Sequence, residues 1–175
     1  MKVIAFGASY SKQSINKQFA SYVAQQISSE AETLDLNNYQ LPVYTIDLER
    51  EIGHPQAAID FVHKLEEADV LVISIAEHNG SYTAAFKNLF DWASRVKLKL
   101  FEDMRVVLLS TAPGARGGIS ALEDALDRFP RHGGEIVGHF TLPNFNENFS
   151  EELGVTHDEL RERLHELVNA AMVVE

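Results

Sequence analysis

The chain contains no cysteine. That absence removes disulfide frameworks, thiolate nucleophiles and thiolate-held metal sites together. Cations are also scarce: 15 Lys and Arg stand against 26 Asp and Glu, a formal charge of −11. Nucleic acids and anionic membranes require clustered Lys and Arg, so neither is an expected partner. No apolar run approaches the ~20 residues of a membrane-spanning helix; the best, residues 70–76, is interrupted by Ser74. Residues 1–7 run into a turn with no hydrophobic signal segment behind a basic start. The seven histidines show no H-x-x-x-H pairing, so no metal is expected. A Walker loop and a G-x-G-x-x-G fingerprint are both absent. At 175 residues, one soluble cytoplasmic domain over residues 1–175 is the expectation.

What is present has the proportions of a globular protein, 45% hydrophobic and 23% charged. Short β-branched runs occur at residues 2–7, 32–36, 70–75, 105–109 and 135–142. Between them, apolar residues recur at three- and four-residue spacing, as in Phe19, Val23 and Ile27 or Leu122, Ala125, Leu126 and Phe129. Such intervals put side chains on one helical face. Five strands alternating with helices predict an α/β domain, a five-stranded parallel sheet in the order 2-1-3-4-5 with helices on both faces. Residues 37–55 and 143–156 read as long irregular stretches.

Three loops fall at the carboxyl edge of that sheet, where such folds bind ligands. The first runs Gly7-Ala8-Ser9-Tyr10-Ser11-Lys12-Gln13-Ser14-Ile15-Asn16 into a helix. A helix start carries unpaired N–H groups and about half a positive charge, which favours a phosphate. The same serines also suit a plain cap at Ser14, and spacing alone leaves both readings open. The second loop is Ala76-Glu77-His78-Asn79-Gly80-Ser81-Tyr82. The third, Ser110 to Gly118, carries glycines at 114, 117 and 118 that let the main chain approach a flat ligand. Glu77, His78 and Ser81 invite a hydrolytic triad, but no G-x-S-x-G elbow positions a nucleophile. Phe90 and Trp92 read as core or as interface, and Lys87, Asp91 and Arg95 as a charged stripe.

Four segments together resemble the NAD(P)H-dependent FMN reductases of flavodoxin-like fold, a family that includes quinone, azo-dye and chromate reductases. They are Gly7-Ala8-Ser9 through Ser14-Ile15-Asn16; Asp35-Leu36-Asn37-Asn38-Tyr39-Gln40-Leu41-Pro42; Glu77-His78-Asn79-Gly80-Ser81 with Lys87-Asn88-Leu89-Phe90-Asp91-Trp92; and Pro113-Gly114-Ala115-Arg116-Gly117-Gly118. The chain departs from the family's usual pattern at Tyr10, where Arg is common, and at Ala76-Glu77-His78, where Pro-Glu-Tyr is usual.

The resemblance implies that Ser9, Ser11, Ser14, Ile15 and Asn16 hold the FMN phosphate. It sets Glu77, His78, Asn79 and Gly80 beside the ribityl chain and ring, with backbone amides through Ser81. Pro113, Gly114, Arg116, Gly117 and Gly118 then take the far side of the ring. No side chain acts as catalyst, because the flavin carries the chemistry. NAD(P)H is the implied co-substrate, a quinone-like small molecule the electron acceptor, and a homodimer or homotetramer the assembly. The helix with Phe86, Phe90 and Trp92 is then a candidate contact face. A non-enzymatic electron carrier or redox-sensing flavoprotein is the other role these residues fit.

Overall fold

In a parallel strand, successive side chains point to opposite faces, so a continuously apolar strand feeds two cores. A computed structural model, which describes residues 1–173, shows this in β1 (Val3–Gly7), β3 (Val70–Ile75) and β6 (Arg105–Thr111). Ile4, Phe6, Leu71, Ile73, Val106 and Leu108 enter one core, against α3 (Gln56–Leu65), α4 (Ala84–Val96) and α5 (Ile119–Arg128). Val3, Ala5, Val70, Val72, Val107 and Leu109 enter the other, against α1 (Ile15–Ile27) and α7 (Asp158–Met172).

With β2 (Glu32–Thr33) and β7 (Glu135–Leu142), the sheet is parallel in the order β2-β1-β3-β6-β7. Counting only its own strands, that is the expected 2-1-3-4-5. The order reverses between β1 and β3, and the loops leaving those strands diverge to open a crevice there.

Strand boundaries differ from the sequence reading most in two places. The second strand was expected over residues 32–36 but pairs only at Glu32 and Thr33. Asp35 ends it by accepting from the Asn37 N–H at 2.9 Å, which starts the 3-10 turn Leu36–Tyr39. The fourth strand continues through Ser110 and Thr111, which pair with Thr141 and Leu142. The two stretches expected to be irregular are partly regular. Residues 37–55 contain that turn and α2 (Ile46–Ile52), while residues 143–156 contain α6 (Phe145–Asn148) and the hairpin of β8 (Phe149–Ser150) and β9 (Gly154–Val155).

Phe86, Phe90 and Trp92 are buried, Trp92 completely, so these side chains supply core and not a contact face. The Trp92 indole N–H donates to the Pro42 carbonyl at 2.8 Å. The Asn88 amide donates to the same oxygen at 2.9 Å, and its Oδ1 accepts from the Tyr44 N–H at 2.8 Å. Two of the segments that carry the family resemblance therefore hold one another. The expected stripe is half present: Lys87 pairs with Asp91 at 2.6 Å, but Arg95 reaches Glu49 on α2 at 2.9 Å.

Candidate active site

Gly7 ends β1 directly beneath the first turn of α1. A Cβ on Gly7 would stand 2.3 Å from the Lys17 nitrogen and 2.6 Å from the Asn16 carbonyl carbon, which no side chain tolerates. Glycine thus brings the helix start onto the strand end. Asn16 is 4% exposed. Its Oδ1 accepts from Ser74 Oγ at 2.7 Å and from the Thr111 N–H at 3.2 Å, and its Nδ2 donates to the Thr111 carbonyl at 3.1 Å. One amide therefore ties α1 to the ends of β3 and β6, with Oδ1 and one Nδ2 hydrogen committed to the strands and the main-chain N–H open to a ligand.

Ser14 caps α1. Its Oγ accepts from the Lys17 N–H at 3.1 Å and its carbonyl from the Gln18 N–H at 3.1 Å. Of the four N–H groups a helix start leaves unpaired, the Ser14 side chain takes that of Lys17; among the described residues those of Ile15 and Asn16 meet no acceptor, and both residues line the crevice. The capping reading and the anion reading of this turn are thus compatible. Ser9 turns tightly, its N–H on the Gly7 carbonyl at 2.7 Å, and its Oγ accepts from the Ser11 N–H at 3.1 Å. The Ser11 side chain is exposed.

Two side chains near this turn are committed to other elements. Tyr10, at the position where the family often has Arg, packs on the core and donates to the Tyr39 carbonyl at 2.9 Å. Burial pushes its hydroxyl up to about 12, so it stays neutral. Lys17 is engaged by Asp35 at 2.7 Å. That bond, with the two hydrogen bonds from Asn37, lowers the Asp35 carboxyl to about 2.

The wall after β3 is a hairpin, β4 (Glu77–His78) and β5 (Ser81–Tyr82), where the sequence suggested only a loop. Asn79 and Gly80 form its two-residue turn at φ 52° and 76°, the left-handed pair that an Asn-Gly hairpin requires. Glu77 Oε2 accepts from the Ala121 N–H at 3.0 Å, reaching the first turn of α5. The Ser81 hydroxyl faces Asp124 at 3.4 Å, and neither it nor Glu77 bonds His78, so no triad is assembled. The opposite wall is residues 111–118. The Gly114 carbonyl accepts from the N–H groups of Gly117 and Asn144, both at 3.1 Å, and the Ala112 carbonyl from Phe145 at 3.1 Å. A Cβ at Gly117 would meet the Thr141 methyl at 2.4 Å.

These walls enclose a cleft of about 190 Å³, lined by Ser9, Ser11, Ser14, Ile15, Asn16, Glu77, His78 and Pro113 from the expected set. Gln13, Ala76, Thr111 and Ala112 also line it. Of these four, Thr111 lay beyond the expected strand end, and the apolar Ala76 and Ala112 carry no chemical signal in sequence. Asn79, Gly80, Ser81, Gly114, Arg116, Gly117 and Gly118 lie outside this lining. Arg116 turns along its own segment to Ser120 Oγ at 2.7 Å. Enclosed small-molecule pockets commonly reach ~300–1,000 Å³, so a ligand of cofactor size would be held here with part of it open to solvent. Among the described residues, no group of three His, Asp or Glu could hold a metal, and no helix is long and apolar enough to cross a membrane.

A switch-point cleft with a phosphate-type helix start and a small-residue wall defines an open-faced site of the flavodoxin class. The chain belongs to the NADPH-dependent FMN reductase family, whose sequence model matches residues 1–147. Membership makes it an oxidoreductase with FMN as cofactor and NAD(P)H as electron donor. It is 28% identical over 151 residues to an uncharacterized protein of Mycoplasma pneumoniae, covering 83% of this chain and 89% of that one. To an NAD(P)H:quinone oxidoreductase of Solanum tuberosum it is 35% identical over 91 residues, 52% of this chain and 45% of that protein. The chain thus matches less than half the length of that enzyme. The flavoenzyme NAD(P)H:(acceptor) oxidoreductase FerB of Paracoccus denitrificans superposes with a TM-score of 0.76 at 21% identity, covering 98% of this chain and 94% of that one. A Pseudomonas aeruginosa flavodoxin superposes at 0.59 and 14% identity over 99% and 100%. These structural likenesses show the fold.

Proposed function

We propose that the chain holds FMN in the cleft at the β1–β3 switch point and passes electrons from NAD(P)H to a quinone-like small molecule. The observation that carries this is the pair of free N–H groups on Ile15 and Asn16, set among the hydroxyls of Ser9, Ser11 and Ser14. The donor set fits a phosphate monoester: main-chain and hydroxyl donors line one cleft at a helix start. It also explains how an acidic protein takes an anion, since the attraction is local and falls off within the first turn.

The flavin, when bound, would supply two-electron redox chemistry between NAD(P)H and the acceptor, in a ping-pong cycle. The chain's residues bind and orient. Ser9, Ser11 and Ser14 donate hydroxyls toward the phosphate, and the Asn16 amide keeps the strand ends below it fixed. Glu77 and His78 form one wall of the ring end, and Pro113 the other. The loops of residues 79–81 and 114–118 lie outside the cleft lining, so their amides would favour developing negative charge only where the ring extends beyond it. The mouth stays open, so donor and acceptor use the same face in turn.

Electron transfer to small acceptors, and not to a protein partner, is tested by turnover. Purified protein is expected to be yellow or to take up FMN, to bleach with NAD(P)H, and to reduce a benzoquinone with no second protein present. A colourless chain that takes up no FMN would sink the reading; a flavin that bleaches but turns over only with a partner would make it a carrier. A second copy of the chain is the proposed assembly partner, in a homodimer or homotetramer. The exposed Val43, Ile46 and Ile52 give it apolar surface, and sedimentation at micromolar concentration reads the state.

A further inference from the structure

Helix α5 begins without a cap of its own. Gly118 stands at its N-cap position at φ 80° and offers no side chain to the first-turn N–H groups. The missing acceptor comes from another element: Glu77 on β4, whose Oε2 takes the Ala121 N–H at 3.0 Å. Glu77 is half-buried, and a Cβ on Gly118 would sit 3.6 Å from the Glu77 Cβ, so hairpin and loop are in direct register. Glu77 and Pro113 also line the same cleft from opposite walls. The carboxylate therefore joins the wall after β3 to the helix that terminates the wall after β6.

We infer that Glu77 is a positioning residue, whose carboxylate caps α5 across the cleft and so fixes the spacing of the two walls between which the flavin ring is held. The inference rests on the flavin reading above. It separates two properties that a glutamate combines. Position requires an acceptor at the end of a two-carbon stem; charge requires a carboxylate. Glu77→Gln keeps the first and loses the second, whereas Glu77→Asp keeps the charge and withdraws it from the Ala121 N–H. If wall spacing is the role, Gln behaves like the native residue and Asp behaves like Ala.

The ring end and the phosphate end are also separable. FMN and riboflavin share the ring, and only FMN has the phosphate. Loosened walls weaken both ligands by the same factor, because the α1 turn is untouched. The test is the dissociation constant of FMN and of riboflavin, from flavin fluorescence quenching, for the native chain, Glu77→Ala, Glu77→Asp and Glu77→Gln. Hydrogen exchange at the Ala121 amide is measured alongside. Loss of a helix cap corresponds to roughly tenfold in an equilibrium constant. Ala and Asp are therefore expected to weaken both ligands by about tenfold and to expose the Ala121 amide to exchange. Gln is expected to stay within about threefold with that amide protected. Should Ala not fold, the Asp and Gln pair carries the same contrast.

Equal affinities in all four proteins would overturn the inference while leaving the flavin reading intact. So would a loss confined to FMN, or Asp behaving as native while Gln behaves as Ala. A native chain that takes up neither ligand would overturn the flavin reading, and this inference with it.

Discussion

Replacing Asn16 with Ala tests how the cleft floor is built. The side chain makes three hydrogen bonds, to Ser74 Oγ at 2.7 Å and to the Thr111 N–H and carbonyl at 3.2 and 3.1 Å, in a setting 4% exposed. Its removal leaves one hydroxyl and two main-chain groups buried without partners. Each such group costs about 1–3 kcal/mol, so the three together cost about 4 kcal/mol after partial relaxation. Against a typical total of ~5–15 kcal/mol, that is a large fraction of the domain's stability. Urea unfolding followed by circular dichroism reads the change as a shift in midpoint at unchanged slope. Asn16→Asp supplies the internal control. A carboxylate can accept from Ser74 and from the Thr111 N–H, but it turns a negative oxygen toward the Thr111 carbonyl, and burial raises its pKa above the ~3.9 of the unfolded chain. A raised folded value means the protonated form favours the native state, so this variant loses least below about pH 4 and progressively more as pH rises. A loss under about 1 kcal/mol for Asn16→Ala, or a pH dependence of opposite sign for Asn16→Asp, would refute the floor argument. A folded, stable Asn16→Ala chain that had lost only FMN affinity would instead show that the side chain serves the phosphate directly.

Other outcomes follow from the same geometry. Ser11→Ala should weaken FMN by about 1–3 kcal/mol, measured by fluorescence titration, with the urea midpoint unchanged because the side chain is exposed. Gly7→Ala sets a methyl 2.3 Å from main-chain nitrogen and should cost about 3 kcal/mol in urea unfolding. A wild-type midpoint would show that α1 can shift freely. Asp35, held near 2 by Lys17 and Asn37, contributes stability that is whole above the unfolded carboxyl range and lost as pH falls from about 4 toward 2. With 40% of its side chain exposed, that contribution is under about 1 kcal/mol. Comparing Asp35→Asn with the native chain at pH 7 and pH 2.5 should show the difference shrink at the lower value, where the native carboxyl approaches its folded pKa.

The sheet was legible because its signal is local. Residues 70–75 and 105–109 are apolar almost throughout, as expected of strands covered on both sides. The first-turn signal was legible for the same reason: Ser14 precedes a helical repeat, and three hydroxyls crowd one turn. The hairpin at residues 77–82 was also legible in principle, since Asn79-Gly80 is the usual two-residue hairpin turn; with only two residues in each strand, it had no alternation to support it. The end of β2 was not, because Asp35 leaves the ladder through a bond to its own neighbourhood and a salt bridge to Lys17 on another element.

The sequence by itself determined the alternation of strands and helices and the central strands that feed two cores, since periodicity and turn chemistry act over a few residues. Only the tertiary structure decided what the chemically expressive residues do. The Asn16 side chain ties helix to strands; Trp92, which reads as core or as interface, is core; Glu77 caps a helix 44 residues away. Those roles are contacts between segments far apart in the chain. The free energy of such a contact depends on where the partner lands after folding, and no spacing along one strand or helix records that.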